Sequence, residues 1–185
     1  MELYRIKPSG DRPEIFVKKD WRTTIDNQGR LKYFVYGKGY AKTKAFELID
    51  VPIDENKKDA LYIGEIATKY GYDIATDVCE TAFGCCKMNA EHWVGLFKLA
   101  YETAVSNFTK NEISQISREV VNLFRPFSIF PILEVDFLDR ELAKLDPEYD
   151  SEMCRYKGKD GVNMEMYIKE KYGEITAKFV AKMLQ

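Results

Sequence analysis

An α+β fold, with an N-terminal antiparallel sheet or hairpin packed on a C-terminal, predominantly helical body, is predicted by two changes that coincide near Pro52. The first is hydrophobic period. Residues 1–50 alternate apolar and polar side chains, as half-buried strands do, whereas residues 51–185 place apolar side chains every three or four positions, as amphipathic helices do. The second is charge. The first fifty residues hold 11 Lys+Arg against 7 Asp+Glu and the rest hold 17 against 23, so nets of +4 and −6 lie within the formal −2 of the 185-residue chain. The expected organisation is a basic β-rich region, 1–52, and an acidic helical region, 53–185, forming one compact domain or two closely packed subdomains.

Each element has a local reason. Leu3 to Lys7 and Glu14 to Trp21 read as strands separated by the Pro8-Ser9-Gly10-Asp11 turn. Asp26-Asn27-Gln28-Gly29 reads as a hairpin loop leading into Arg30 to Tyr36, where Leu31, Tyr33 and Val35 alternate with Lys32, Phe34 and Tyr36. Gly37-Lys38-Gly39 breaks that strand, and Ala45 to Val51 returns as another before Pro52. A helix over Lys57 to Tyr70 is closed by Gly71, since glycine accepts the left-handed backbone of a helix end. Asp73 is the predicted N-cap of the next helix, and Asn89 that of Ala90 to Phe108. Asn111 to Phe124 runs up to Pro126, and Val135, Leu138, Leu142 and Leu145 share one helical stripe. Residues 146–163 are turn-rich. The last helix is predicted from Met164, Ile168, Tyr172, Ile175, Phe179 and Met183, one apolar face with Lys and Glu opposite.

Composition narrows the function classes. With 45% apolar residues, a chain of this length buries about 70% of its unfolded surface and needs no metal, cofactor or disulfide to fold. Phe124 to Leu138, the longest apolar stretch, is interrupted by Pro126, Ser128, Pro131, Glu134 and Asp136, so no membrane span is expected. Met1-Glu2-Leu3-Tyr4-Arg5 has no apolar signal core, and the four cysteines read as reduced thiols. The expected address is the cytoplasm.

Two surfaces carry the binding expectations. Arg22, Arg30, Lys32, Lys38 and Lys42 lie among Phe34, Tyr36, Trp21 and Tyr40, and alternation puts Lys32, Phe34, Tyr36 and Lys38 on one strand face. Rings with flanking cations suit single-stranded nucleic acid, whose bases stack and whose phosphates need neutralising. The second surface is an acidic belt from Glu134 to Glu152, in which eight carboxylates face only Arg140 and Lys144, a net of −6. Glu134, Asp136, Asp139, Glu141, Glu148 and Asp150 are its candidate contacts for a protein partner with a basic surface. Beside it, Phe124 to Leu133 either crosses the core or supplies an apolar anchor.

Residues 66–82 resemble the helix-turn-helix DNA-binding motif, with Ala67 in a first helix, Gly71 at the turn and a capping residue after it. The would-be recognition helix presents Asp73, Asp77 and Glu80, which phosphates repel. Gly37-Lys38-Gly39-Tyr40-Ala41-Lys42-Thr43 lacks the glycine that a phosphate loop sets before its lysine. The one histidine, His92, follows Cys85 and Cys86, a pairing that a small cysteine enzyme would use. Neither the cysteines nor the alternating Asp146, Glu148, Asp150 and Glu152 match a zinc or calcium pattern. The leading expectation is therefore a small non-enzymatic binding protein that acts by occluding a partner. By analogy alone, an inhibitor that a phage or mobile element directs against a host defence nuclease has these traits. A nucleic-acid-binding regulator and a Cys/His enzyme are the alternatives.

Overall fold

The computed structural model describes residues 1–35, 37–123, 169–170 and 172–183, and within them an antiparallel β region is followed by a helical body, the α+β arrangement read from the period change. The strands are β1 (Glu2–Ile6), β2 (Ile15–Lys18), β3 (Thr24–Ile25), β4 (Leu31–Val35), β5 (Gly39–Thr43) and β6 (Phe46–Asp50). The helices are α1 (Ala60–Tyr70), α2 (Tyr72–Phe83), α3 (Lys87–Asn107), α4 (Lys110–Leu123) and α5 (Glu174–Met183).

The strands form two three-stranded sheets, ordered β2-β1-β6 and β3-β4-β5, rather than one. The difference arises at Gly37 and Gly39. Their φ values of 73° and 78° suit a tight reversal, closed by the Lys38 N–H donating to the Val35 carbonyl at 3.0 Å. The chain thus returns at once as β5, and the β4–β5 hairpin completes a sheet of its own.

Period two then decides which face goes where. In β1, Leu3 points to the helices, and its cross-strand partner Ile49, with Phe16 of β2, packs against the same core. Tyr4 and Ile6 point the other way and meet Leu31 and Tyr33 of β4 in a second, smaller core flanked by Ile15, Val17, Val35, Ala41 and Phe46. The first sheet is the middle layer, with helices on one face and the second sheet on the other. Leu3 and Leu31 are both fully buried, each contributing about 2 kcal/mol by its removal from water.

The helical body is built on caps and one close crossing. Asp59 holds the start of α1, its Oδ1 accepting from the Leu61 N–H at 3.0 Å, while its Oδ2 accepts from Ser117 Oγ of α4 at 2.9 Å. Gly71, at φ 93°, ends α1 and also serves as N-cap of α2, so Asp73 falls in the first turn of α2 instead of capping it. Gly84 ends α2 in the left-handed conformation, and α3 starts at Lys87 with Cys86 as N-cap, ahead of Asn89. Ala60, Ile63, Ile66, Ile74, Val78, Trp93, Val94, Phe97, Ile116 and Phe179 fill the large core.

The expected last helix is interrupted. Gly173, at φ 91°, separates helical Tyr172 from α5, so the apolar stripe is carried across a break. Within that stripe Phe179 is buried and Tyr172 and Ile175 are half-buried, while Ile168 lies outside the described residues. The Phe124–Leu138 stretch, the stripe over residues 134–145 and the turn-rich residues 146–163 also lie outside them.

Candidate nucleic-acid interface

With Leu31 and Tyr33 committed to the inner core, β4 must present Lys32 and Phe34 on its outer face. The antiparallel register sets Lys42 opposite Lys32 and Tyr40 opposite Phe34, so four outward positions form a square of two cations and two rings. Phe34 is 43% exposed and Tyr40 54%, their rings meeting edge to face with centroids 5.5 Å apart. Lys32 Nζ sits 4.4 Å from the Tyr40 ring centroid, a cation–π contact at a half-exposed site. Tyr40 was not among the face residues drawn from the sequence. Its place follows from the tight Gly37–Gly39 turn, which sets the register of β5 against β4.

Like charges directly across a ladder repel, and Asp26 relieves the Lys32–Lys42 pair. Its Oδ2 lies 3.5 Å from Lys42 Nζ and 2.9 Å from the Arg30 guanidinium. Its Oδ1 accepts from the backbone N–H groups of Gln28 and Arg30, each at 3.0 Å, which shapes the β3–β4 turn. Hydrogen bonding from the Arg30 backbone, then from the Arg30 side chain and Gln28, holds the Asp26 carboxyl down at about 2. Arg22 is likewise engaged, hydrogen-bonded to Asp20 and 3.9 Å from Asp77 of α2.

The predicted basic residues therefore separate. Arg22, Arg30 and Lys42 are turned onto carboxylates of the same chain, whereas Lys32 and Lys38 have no ion-pair partner among the described residues. Lys38 is exposed at the β4–β5 turn, and Tyr36 lies outside the described residues. Trp21, 84% exposed on the loop after β2, adds a ring with Arg22 5.9 Å from its centroid. A crevice lined by Phe34, Lys18, Arg22, Asp73, Asp77 and Lys87 measures about 80 Å³, too small to enclose a nucleobase beside pockets of roughly 300–1,000 Å³ that hold ligands. The face thus offers exposed rings and cations beside a shallow crevice rather than an enclosing pocket.

The segment resembling a helix-turn-helix is α1–Gly71–α2, and α2 buries Ile74, Ala75, Thr76, Val78, Cys79 and Ala82. Asp77, on its remaining face, pairs with Lys18 of β2 at 3.3 Å. Asp77 is thus turned to the basic edge of the first sheet, which accounts for that carboxylate in a helix of this pattern. The proposed acidic-belt contacts Glu134, Asp136, Asp139, Glu141, Glu148 and Asp150 lie outside the described residues.

Around His92 the chemistry is quiet. His92 is exposed, its ring 5.6 Å from that of Trp93. Burial pushes the thiols of Cys79 and Cys85 up, so both stay protonated and weakly nucleophilic at neutral pH. Cys86 is exposed at the start of α3. Among the described residues no three His, Cys, Asp or Glu side chains gather as a metal site requires, and no helix is long and apolar enough to cross a membrane. The chain matches no family model, no curated protein and no solved structure.

Proposed function

We propose that this chain is a cytoplasmic binding protein whose working surface is the outer face of the second sheet, and that its ligand is single-stranded nucleic acid. The observation carrying this reading is the pair of solvent-facing rings, Phe34 and Tyr40, flanked by Lys32 and Lys42 on adjacent strands. Rings left exposed on a sheet cost hydrophobic free energy in the free protein, and every base has a face that stacks on them. Lys32 lies over Tyr40, so a base that takes its place on the ring releases the ammonium toward a phosphate. The cations held by Asp20 and Asp26 are partly exposed, and exposed ion pairs of this kind contribute little, so a phosphate competes for them at small cost.

The test is fluorescence anisotropy of a labelled single-stranded 20-mer, DNA and RNA, across a salt series. With Lys32, Lys38 and Lys42 each neutralising one phosphate, log Kd should rise against log salt with a slope of roughly 2. A Phe34→Ala/Tyr40→Ala variant should weaken binding by about 1–3 kcal/mol per lost stacked base without altering the melting temperature greatly. Undetectable binding at low salt, or affinity indifferent to salt, removes the reading. Occlusion of a basic protein partner is the second reading, favoured by the net −6 of residues 134–152. Binding by a basic protein that survives the double substitution, with no oligonucleotide binding, would replace the first by the second.

A further inference from the structure

The two sheets do not close on each other everywhere. Between the β1–β2 loop and the β4–β5 hairpin lies a groove of about 420 Å³, within the roughly 300–1,000 Å³ of small-molecule sites. Its floor is apolar: Ile6, Ile15, Tyr33, Val35 and Ala41, with Ile6 and Tyr33 each only 6% exposed.

The void has a cause in the sequence. Packed sheets fill the space between them with inward side chains from both. The inward positions of β5 that pair with Tyr33 and Val35 are Ala41 and Gly39, the smallest side chains available. Neither reaches Ile6 or Ile15 across the gap, so the lining lacks dispersion partners on one side. Filling the gap with a larger residue in β5 would close the sandwich; the chain leaves it open.

The mouth is cationic. Lys7, Arg12 and Lys38 stand around it, together with the Ser9 and Thr43 hydroxyls, and no carboxylate is among the described lining residues. None of these three cations has an ion-pair partner among the described residues, in a chain where Arg5, Lys18, Lys19, Arg22, Arg30 and Lys42 are all paired. Three unpaired cations around an unfilled apolar floor are complementary to one kind of molecule.

We infer that the groove is a binding site for a small organic anion, an unbranched apolar body ending in a carboxylate. The hydrocarbon fills the space that Gly39 and Ala41 leave, and the carboxylate meets Arg12, Lys7 and Lys38 at the mouth. This site is on the inner face of the second sheet, away from the outer rings; it shares only Lys38, at the β4–β5 turn, with the nucleic-acid reading and does not rest on that reading.

The probe is decanoate below its micelle concentration, titrated into the full chain and followed by methyl NMR shifts. The methyls of Ile6, Ile15 and Val35 should move together with one Kd, while those of Ile74 and Ile116, in the helical core, stay still. Decylammonium, of the same length and opposite charge, should bind at least tenfold more weakly. A Lys7→Glu/Arg12→Glu variant should lose at least tenfold in decanoate affinity and keep its anisotropy response to oligonucleotide within twofold. Equal binding of the two amphiphiles, no shift, or shifts spread over the helical core would overturn the assignment. If the variant does not fold, the decanoate–decylammonium comparison on the native chain decides by itself.

Discussion

At the scale of single residues, Gly64 matters most to the packing of the helical body. Where α1 crosses α3, a Cβ added to Gly64 would lie 2.7 Å from both the Phe97 carbonyl carbon and Tyr101 Cβ. A backbone group cannot yield without moving a helix, so Gly64→Ala should cost the upper part of about 1–3 kcal/mol. Thermal unfolding followed by circular dichroism should fall by roughly 2–4 °C per kcal/mol for a chain of this size. Gly95→Ala is the control, because its Cβ meets the Tyr72 hydroxyl at 2.8 Å, the end of a 42% exposed side chain that can swing aside. Equal losses for the two variants would contradict the close-crossing explanation. Nothing in the sequence around Gly64 marks it, since its constraint comes from a residue thirty-odd positions away.

Among the elements, the β3–β4 turn is the one whose stability should follow pH. The Asp26 carboxyl sits at about 2, below the roughly 3.9 of an aspartate in an unfolded chain. A depressed folded value stabilises the ionised form, so the contribution is complete above about pH 4 and is lost as pH falls toward 2. Amide exchange at Gln28, Arg30 and Lys32 should therefore speed up over that window beyond the intrinsic pH dependence, and Asp26→Asn should flatten the profile. A profile unchanged by Asp26→Asn would show that the turn is held by its backbone alone. The Asp26-to-Gly29 turn was legible in the sequence, because Asx turns are local chemistry. The pairing of Asp26 with Lys42 was not, since Lys42 arrives only through the register of β5.

For the whole molecule, two cores of unequal size predict unequal local stability. The first sheet is anchored to the helices through Leu3, Phe16 and Ile49, so it and the helical body should unfold as a unit. The second sheet rests on Tyr4, Ile6, Leu31 and Tyr33 and is left open along the groove. Native-state hydrogen exchange should then show β4–β5 amides opening at lower free energy than those of α1 and α3. If β4–β5 amides fall in the slowest class with α1 and α3, the sandwich is not a separable layer.

The sequence by itself determined the α+β class, the facing of Leu31 and Tyr33 against Lys32 and Phe34, and the end of α1 at Gly71. Periodicity and capping are properties of a few adjacent residues, so they survive without knowledge of what packs on them. Only the tertiary structure decided that the strands divide into two sheets, that Arg22 comes within reach of Asp77, and that Lys42 turns onto Asp26. It also decided that Ala41 and Gly39 would face Ile6 and Ile15 across an unfilled gap. Each of these joins residues distant along the chain, and the free energy that selects such a pairing depends on which surfaces meet, which no local pattern records.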